Sequence, residues 1–391
     1  MKQIITYIFL ILLTNSLFGF EKLSEDSKYI DVYFDKVDTG GYNFYADNRH
    51  FIPQTINLGF ISLKNLKMDR DNPSITVLKP GDKKILIATL TPINKGKSYS
   101  FRSILSHVDG GALDIKPDDY LYTFPFEHGS KFRLDQGYGG SFSHRGENFY
   151  ALDFTMDVGT PICAARGGVI TDVKEDSNRG GPSASYAKYG NYITIYHSDG
   201  TFANYVHLKQ NGAIVEVGNI VKAGDVIGYS GKTGLATGPH LHFSVSIPTK
   251  SGKRESIPTE FAGTDGKPVE LIVGNYYYSN HVGGKPFVVT YGKDLTNANF
   301  ANYRKDVPKT NKLHFRNESF DNTTVLYCVN GYDNVVNGKI SFNLRNSVVS
   351  VDTPINIDIP PLSEVYLCLV NPRNREKPFS FSYSISYSVQ E

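Results

Sequence analysis

The stretch TGPHLHFSV, residues 237–245, sets a pair of histidines into an alternating apolar segment. A strand turns successive side chains to opposite faces. Leu241, Phe243 and Val245 then share one face and suit a core, while His240, His242 and Ser244 share the other. Pro239 stands where a strand can begin. Two imidazoles therefore point the same way from one rigid element. Taken alone, the pattern reads most simply as a half-exposed strand with solvated histidines. Neutral imidazole nonetheless binds zinc and titrates near neutral pH, so the rest of the chain has to decide.

Composition sets the frame. The chain has 391 residues, 40% hydrophobic and 20% charged, as in ordinary globular proteins of two or three domains. Tyr (26), Phe (24) and Gly (36) are abundant and Trp is absent, which favours strands and turns. A formal net charge of +2 gives no case for nucleic acid. At the N-terminus, MKQIITYIFLILLTNSLFGF carries Lys2, an apolar run from Ile4 to Leu13, and then small and polar residues. This is the layout of a secretory signal peptide, and the run is short for a membrane span of ~20 apolar residues. Export to the periplasm or cell exterior is expected, with cleavage around Ser16 to Phe20 and no transmembrane span in the mature chain, an uncleaved anchor being the alternative. Cys163 reads as a buried small hydrophobe. Cys328 and Cys368, each inside an expected strand, are candidates for a disulfide in an oxidising compartment.

Along the chain, two regions read as short strands separated by turn clusters. The first holds YIDVYF, QTINLGF, SITVL, KILIATL and SYSFRSIL; the second holds KPFVVTY, TTVLYCV, KISFNL, PINIDI, EVYLCLV and FSFSYSISY. Both fit small β-sandwiches. They also resemble each other: NRHFIPQTINL from Asn48 aligns with NESFDNTTVL from Asn317, and KSYSF with KPFSF. Between residues 120 and 280 the chain is rich in Gly and holds His128, His144, His197, His207, His240 and His242. There YITIYHSDGTFANYVHL reads as a hairpin turning at Asp199-Gly200. The glycines of VEVGNIVKAGDVIGYSGKTG suit short, tightly bent strands.

Zinc catalysis needs three protein ligands and an open position. His144, Asp153 and His242 would supply a His₂Asp set, with Asp157 a competing carboxylate. Zinc lowers the pKa of water to roughly 7, and peptide hydrolysis then needs groups that move protons. His240 shares a face with His242 and can sit beside the metal. In NYVHL, Tyr205 and His207 share a strand face, and His207 can approach from the opposite side. The motif H-E-x-x-H is absent.

These segments resemble the lysostaphin/LytM-type zinc metalloendopeptidases, peptidoglycan hydrolases with a duplicated-hybrid-motif β fold. The resemblance rests on His144, Asp153, GTPICA (159–164), GNYITIYHSDG (190–200), YVHL (205–208) and TGLATGPHLHF (233–243), and covers about 130 residues. It implies Zn²⁺ bound by His144, Asp153 and His242, with His207 and His240 as catalytic histidines. It also implies hydrolysis of peptide bonds in peptidoglycan cross-links or stem peptides. Many members space the first two ligands as H-x-x-x-D, whereas eight residues separate His144 from Asp153 here. The constant D-x₅-G-T-P selects Asp153.

The expectation is an exported all-β protein: a signal peptide (1–20), an Ig-like β-sandwich (21–118), the zinc metallopeptidase domain (119–283) and a second Ig-like β-sandwich (284–391). A non-catalytic wall-binding regulator and a peptidase acting on secreted proteins are the alternatives. His197 is expected to cap or hydrate the hairpin end, Asn191 to support its turn or the site, and Tyr205 to donate to an oxyanion or to pack. The loop NRGGPSASYAKYG (178–190) is expected to form a mobile rim. The oligomeric state is not legible.

Overall fold

The computed structural model describes residues 28–113 and 115–390, together with the backbone of 7–9 and 21–22. The expected leader lies outside the described residues apart from Tyr7–Phe9. Strands dominate, and among the described residues the only helical segments are short 3₁₀ turns. Among the described residues, no helix is long and apolar enough to cross a membrane. The chain divides into two compact units. One comprises residues 1–125, 138–153 and 157–261, and the other 126–137, 154–156 and 262–391.

After the short strands Tyr7–Phe9 and Glu21–Lys22, the first unit runs through β1 (Ile30–Lys36), β2 (Tyr42–Asn48), β3 (Gln54–Lys64), β4 (Leu66–Met68), β5 (Ser74–Leu78), β6 (Ile85–Pro92) and β7 (Ser100–Asp109). One sheet runs β1-β2-β6-β4 and a second β7-β3-β5. Strict alternation explains their faces: Ile30, Val32 and Phe34 on β1, and Tyr42, Phe44 and Ala46 on β2, are buried while their neighbours are less so. These residues meet Leu58, Phe60, Phe101 and Leu105 of the other sheet in one core. Its centre is an edge-to-face aromatic cluster, with Phe44 5.1 Å from Phe60 and 5.3 Å from Phe101, a geometry that aligns ring edges with ring faces. The alternation in YNFYADN that makes β2 was missed in the sequence.

The same unit continues with Leu152 and Asp153 of β8 (Leu152–Thr155), then β9 (Pro161–Cys163), β10 (Gly168–Lys174), β11 (Tyr192–Tyr196), β12 (Phe202–Val206), β13 (Leu208–Ala213), β14 (Val226–Ser230), β15 (His240–Pro248) and β16 (Arg254–Ile257). A large sheet runs β10-β11-β12-β15-β8, with β16 also on β15, and a small one runs β9-β14-β13. The expected hairpin is β11–β12, in register Thr194 with Asn204, and Gly200 turns it at φ +89°. Leu241, Phe243 and Val245 on β15 are buried as the alternation requires. Gly228 is needed for close approach. A Cβ there would lie 2.7 Å from the Gly212 carbonyl oxygen and 2.8 Å from the Leu208 side chain.

In the second unit, Lys131–Gln136 pairs antiparallel with Tyr276–Tyr278. The C-terminal strands are β17 (Leu313–Phe320), β18 (Thr323–Asn330), β19 (Val336–Arg345), β20 (Ile355–Ile359), β21 (Ser363–Pro372) and β22 (Ser380–Val389). They form the sheets β21-β18-β17 and β20-β19-β22, which share a core around Cys328, Val336, Ile340 and Ile359. The expected strand KPFVVTY (285–291) is not one. Val288 is 85% exposed, and the carbonyls that a strand neighbour would use take side chains instead. Lys285 O faces His128 Nε2, and Thr290 O accepts from Lys131 Nζ and Tyr278 Oη.

Two hydrogen-bond patterns recur between the two strand regions, and one of them does not follow the sequence alignment. The hydrogen-bond pattern of Asn48 recurs at Asn330 and not at Asn317, which lies within β17 opposite Leu326. Asn48 donates to the carbonyls of Ile52, Leu78 and Lys79 and accepts from His50 N. Asn330 donates to Asn334, Ile359 and Pro360 and accepts from Tyr332 N. A second matched pair is Asn65 and Asn346, at φ 51° and 49°. Asn65 donates to the carbonyls of Asn94 and Lys97, and Asn346 to those of Asn374 and Lys377. This places KSYSF opposite KPFSF, as the alignment had it. Cys163, Cys328 and Cys368 are all buried, and none of them is in a disulfide. Cys328 stands opposite Val365 and Cys368 opposite Leu326, so the two thiols occupy different register positions. Burial pushes both up to about 12.

Candidate metal centre

Three separate segments bring their donors together. β15 lies between β12 and β8 in the large sheet, which sets His242 beside Asp153 of β8. His242 Nδ1 lies 2.9 Å from Asp153 Oδ1. His144, in the loop before a 3₁₀ turn at Gly146–Asn148, is fixed by its own N–H donating to Gly140 O at 3.1 Å. Its Nε2 reaches the same Asp153 oxygen at 3.1 Å. One donor atom from each of His144, Asp153 and His242 lies within 4.8 Å of the others, and all three residues are buried. The competing carboxylate, Asp157, is exposed.

The donor set fits a zinc ion: two imidazoles and a carboxylate, buried and converging from three elements. Burial alone would raise the Asp153 carboxyl. The hydrogen bonds from His144 and His242 outweigh it and hold this group well below the usual carboxylate range.

Two further imidazoles stand beside this cluster. The His207 ring lies 4.5 Å from that of His240 and 5.8 Å from that of His242, centre to centre. His240 Nε2 is 3.8 Å from Asp153 Oδ1. His207 follows the end of β12 and adopts φ +71°, a left-handed conformation uncommon outside glycine. That turn breaks the strand alternation, so Tyr205 and His207 do not share a face as the sequence suggested. Tyr205 packs in the core at 0% exposure, where its hydroxyl accepts from Ala165 N at 2.8 Å. Packing is thus its structural role.

Proton positions follow from the partners. His207 Nδ1 lies 2.6 Å from Thr233 O, and His240 Nδ1 lies 2.9 Å from Gly238 O. A carbonyl oxygen only accepts, so each Nδ1 carries the proton and each Nε2 keeps its lone pair. Burial, reinforced by the neighbouring rings of His240 and His242, pushes His207 down to about 3. A bound cation acts in the same direction, so His207 is neutral at physiological pH.

His197 differs from its expectation. It is fully buried, with Nδ1 2.8 Å from Gly167 O, and packs against Tyr122. The 178–190 loop is more anchored than a mobile rim: Gly180–Gly181 pairs with Gly234–Leu235, and Ala184–Tyr189 forms a 3₁₀ segment capped by Ser183. Sequence reasoning missed Thr233 and undervalued Asn191, both wrapped around the His207 turn. The signal available was their place in GNY and KTG, at the edges of the matching motifs.

Residues 147–255 match the model of Peptidase family M23. The match begins three residues after His144. This segment is thus similar to Peptidase family M23. The chain is 35% identical over 159 residues to the glycyl-glycine endopeptidase ALE-1 of Staphylococcus capitis, covering 39% of this chain and 41% of that protein. It is 35% identical over 139 residues to lysostaphin of Staphylococcus simulans, covering 35% and 26%. Similarity to the peptidoglycan DD-endopeptidase ShyA of Vibrio cholerae is 30% over 166 residues, covering 41% and 35%. The chain thus spans less than half the length of these relatives.

Proposed function

We propose that this protein is an exported zinc metalloendopeptidase that hydrolyses peptide bonds in peptidoglycan cross-links or stem peptides. One observation carries the reading: His144, Asp153 and His242 converge within 4.8 Å, with His207 and His240 beside them. Two of the relatives are named as endopeptidases, one glycyl-glycine and one peptidoglycan DD-endopeptidase, which supports the substrate class.

His144, Asp153 and His242 would hold the zinc. When bound, zinc supplies Lewis acidity that polarises the scissile carbonyl and acidifies water. The buried Asp153 carboxylate contributes the negative charge that balances the cation. His207, neutral and protonated on Nδ1, offers its Nε2 lone pair to the proton of the attacking water. His240, fixed the same way through Gly238, receives that proton and returns it to the leaving amine. Protonated in turn, it also balances the charge that develops on the carbonyl oxygen. The buried core face of β15 fixes the backbone from which His240 and His242 project.

The test is mass spectrometry of purified cross-linked peptidoglycan after digestion with the mature protein, with and without a zinc chelator. New peptide-bond fragments that vanish with chelator are expected and name the bond. Zinc bound without fragments would overturn the reading in favour of a regulator or of a secreted-protein substrate.

A further inference from the structure

The His207 turn is held from both sides by groups that the reaction does not itself use. Asn191 is fully buried. Its carbonyl accepts from His207 N at 2.9 Å and from Leu208 N at 3.3 Å. Its side-chain amide donates to the carbonyls of Ser177, Leu208 and Lys209, and its Oδ1 accepts from Ser177 N. Asn191 therefore ties the entry of the rim loop to both residues that follow His207. Thr233 closes the ring. Its hydroxyl accepts from Asn191 N at 3.0 Å and donates to Leu208 O at 2.7 Å, while its own carbonyl faces His207 Nδ1 at 2.6 Å.

The arrangement has a consequence beyond packing. A residue at φ +71° is held there only where its surroundings over-determine it. The Thr233 carbonyl also selects the ring tautomer, and its position depends on the hydroxyl of the same residue. Gly234 completes the fit. At φ +81°, a Cβ on it would lie 2.6 Å from Gly190 Cα, so the segment carrying Thr233 sits directly on the one preceding Asn191.

We propose that Asn191 and Thr233 are positioning residues. Together they lock the left-handed turn at His207 and keep its proton on Nδ1, so that Nε2 remains the acceptor beside His240 and His242. The inference rests on the proposed peptidase reading for its effect on rate, but its structural content is independent of it. Asn191 thus serves the site as well as the hairpin turn.

The experiment uses the zinc-loaded full-length protein with ¹⁵N-labelled histidine, His207 being assigned by its loss in His207→Ala. Wild type is expected to show His207 protonated on Nδ1 and bare on Nε2. Thr233→Val is expected to keep its zinc stoichiometry and lose that pattern. Its kcat on cross-linked peptidoglycan should fall about tenfold, a fraction of a typical acid–base contribution, with KM within about twofold. Thr233→Ser should restore both ring pattern and rate. Should Thr233→Val not fold, Thr233→Ala makes the same comparison. A His207 proton on Nε2 in wild type, or a hydroxyl-free variant with wild-type ring pattern and kcat, would overturn the inference. If wild type cleaves no peptidoglycan, the function reading fails, and the ring pattern across the variants still decides the positioning claim.

Discussion

Asp153 and His242 are 89 residues apart in sequence, yet Oδ1 of the first lies 2.9 Å from Nδ1 of the second. The same carboxylate oxygen receives His144 Nε2 at 3.1 Å. Asp153 is therefore the hub of the cluster, and its exposed neighbour Asp157 is outside it. Asp153→Asn should weaken zinc binding by more than about 100-fold, beyond the cost typical of an outer-shell change. Asp157→Asn should leave zinc binding within about twofold. Competition with a chelating dye measures both. Equal effects of the two substitutions would contradict the assignment.

Tyr205→Phe separates packing from catalysis. The hydroxyl accepts from the buried Ala165 N–H, and leaving that donor unsatisfied costs about 1–3 kcal/mol. Denaturant unfolding should show this loss while kcat changes by less than about twofold. A large fall in kcat at unchanged KM would instead give the hydroxyl a role in the reaction.

His197 makes stability depend on pH. Burial holds it down to about 4, so the folded state stays neutral where an unfolded histidine, near 6.5, takes a proton. Between these values the unfolded state binds more protons, and stability falls as pH drops from about 6.5 towards 4. The full contribution is on the order of 3 kcal/mol. Urea unfolding at pH 7 and at pH 4.5 should show a smaller difference for His197→Gln than for wild type. Identical pH dependence would contradict the buried neutral state.

The two repeats share an anchor whose removal should cost each of them alike. Asn48 and Asn330 each donate to three carbonyls and accept from one N–H. Substitution of either by Ala should destabilise its own pair of sheets by about 2–4 kcal/mol, since several buried groups lose partners at once. Hydrogen exchange read separately over 28–113 and 304–390 would show the loss confined to the mutated repeat. A loss confined to Asn48→Ala would contradict the pairing with Asn330.

Where a single local signal sufficed, the sequence was legible. The alternation in HLHFSV predicted the buried face of β15, and Asp199-Gly200 predicted the β11–β12 turn. The five positions carried over from the resemblance, His144, Asp153, His207, His240 and His242, lie close together in the fold. Readings failed where tertiary partners decide. KPFVVTY has strand composition, but its carbonyls are taken by side chains from elsewhere in the chain. The strand rule placed Tyr205 and His207 on one face, and a left-handed residue between β12 and β13 cancelled it. Asn48 was matched to Asn317 by letters alone, whereas its hydrogen-bond pattern recurs at Asn330. Thr233 carries no motif of its own, since its role is a carbonyl and a hydroxyl aimed at a residue 26 positions away.

Zinc stoichiometry and turnover on cross-linked peptidoglycan, measured side by side for wild type, His242→Ala and His207→Ala, test the central claim most directly. His242→Ala should lose metal and activity together. His207→Ala should keep its zinc and lose about 10²–10⁴ in turnover, the range of an acid–base group. A fully active His207→Ala, or a His242→Ala that retains both zinc and turnover, would contradict the account.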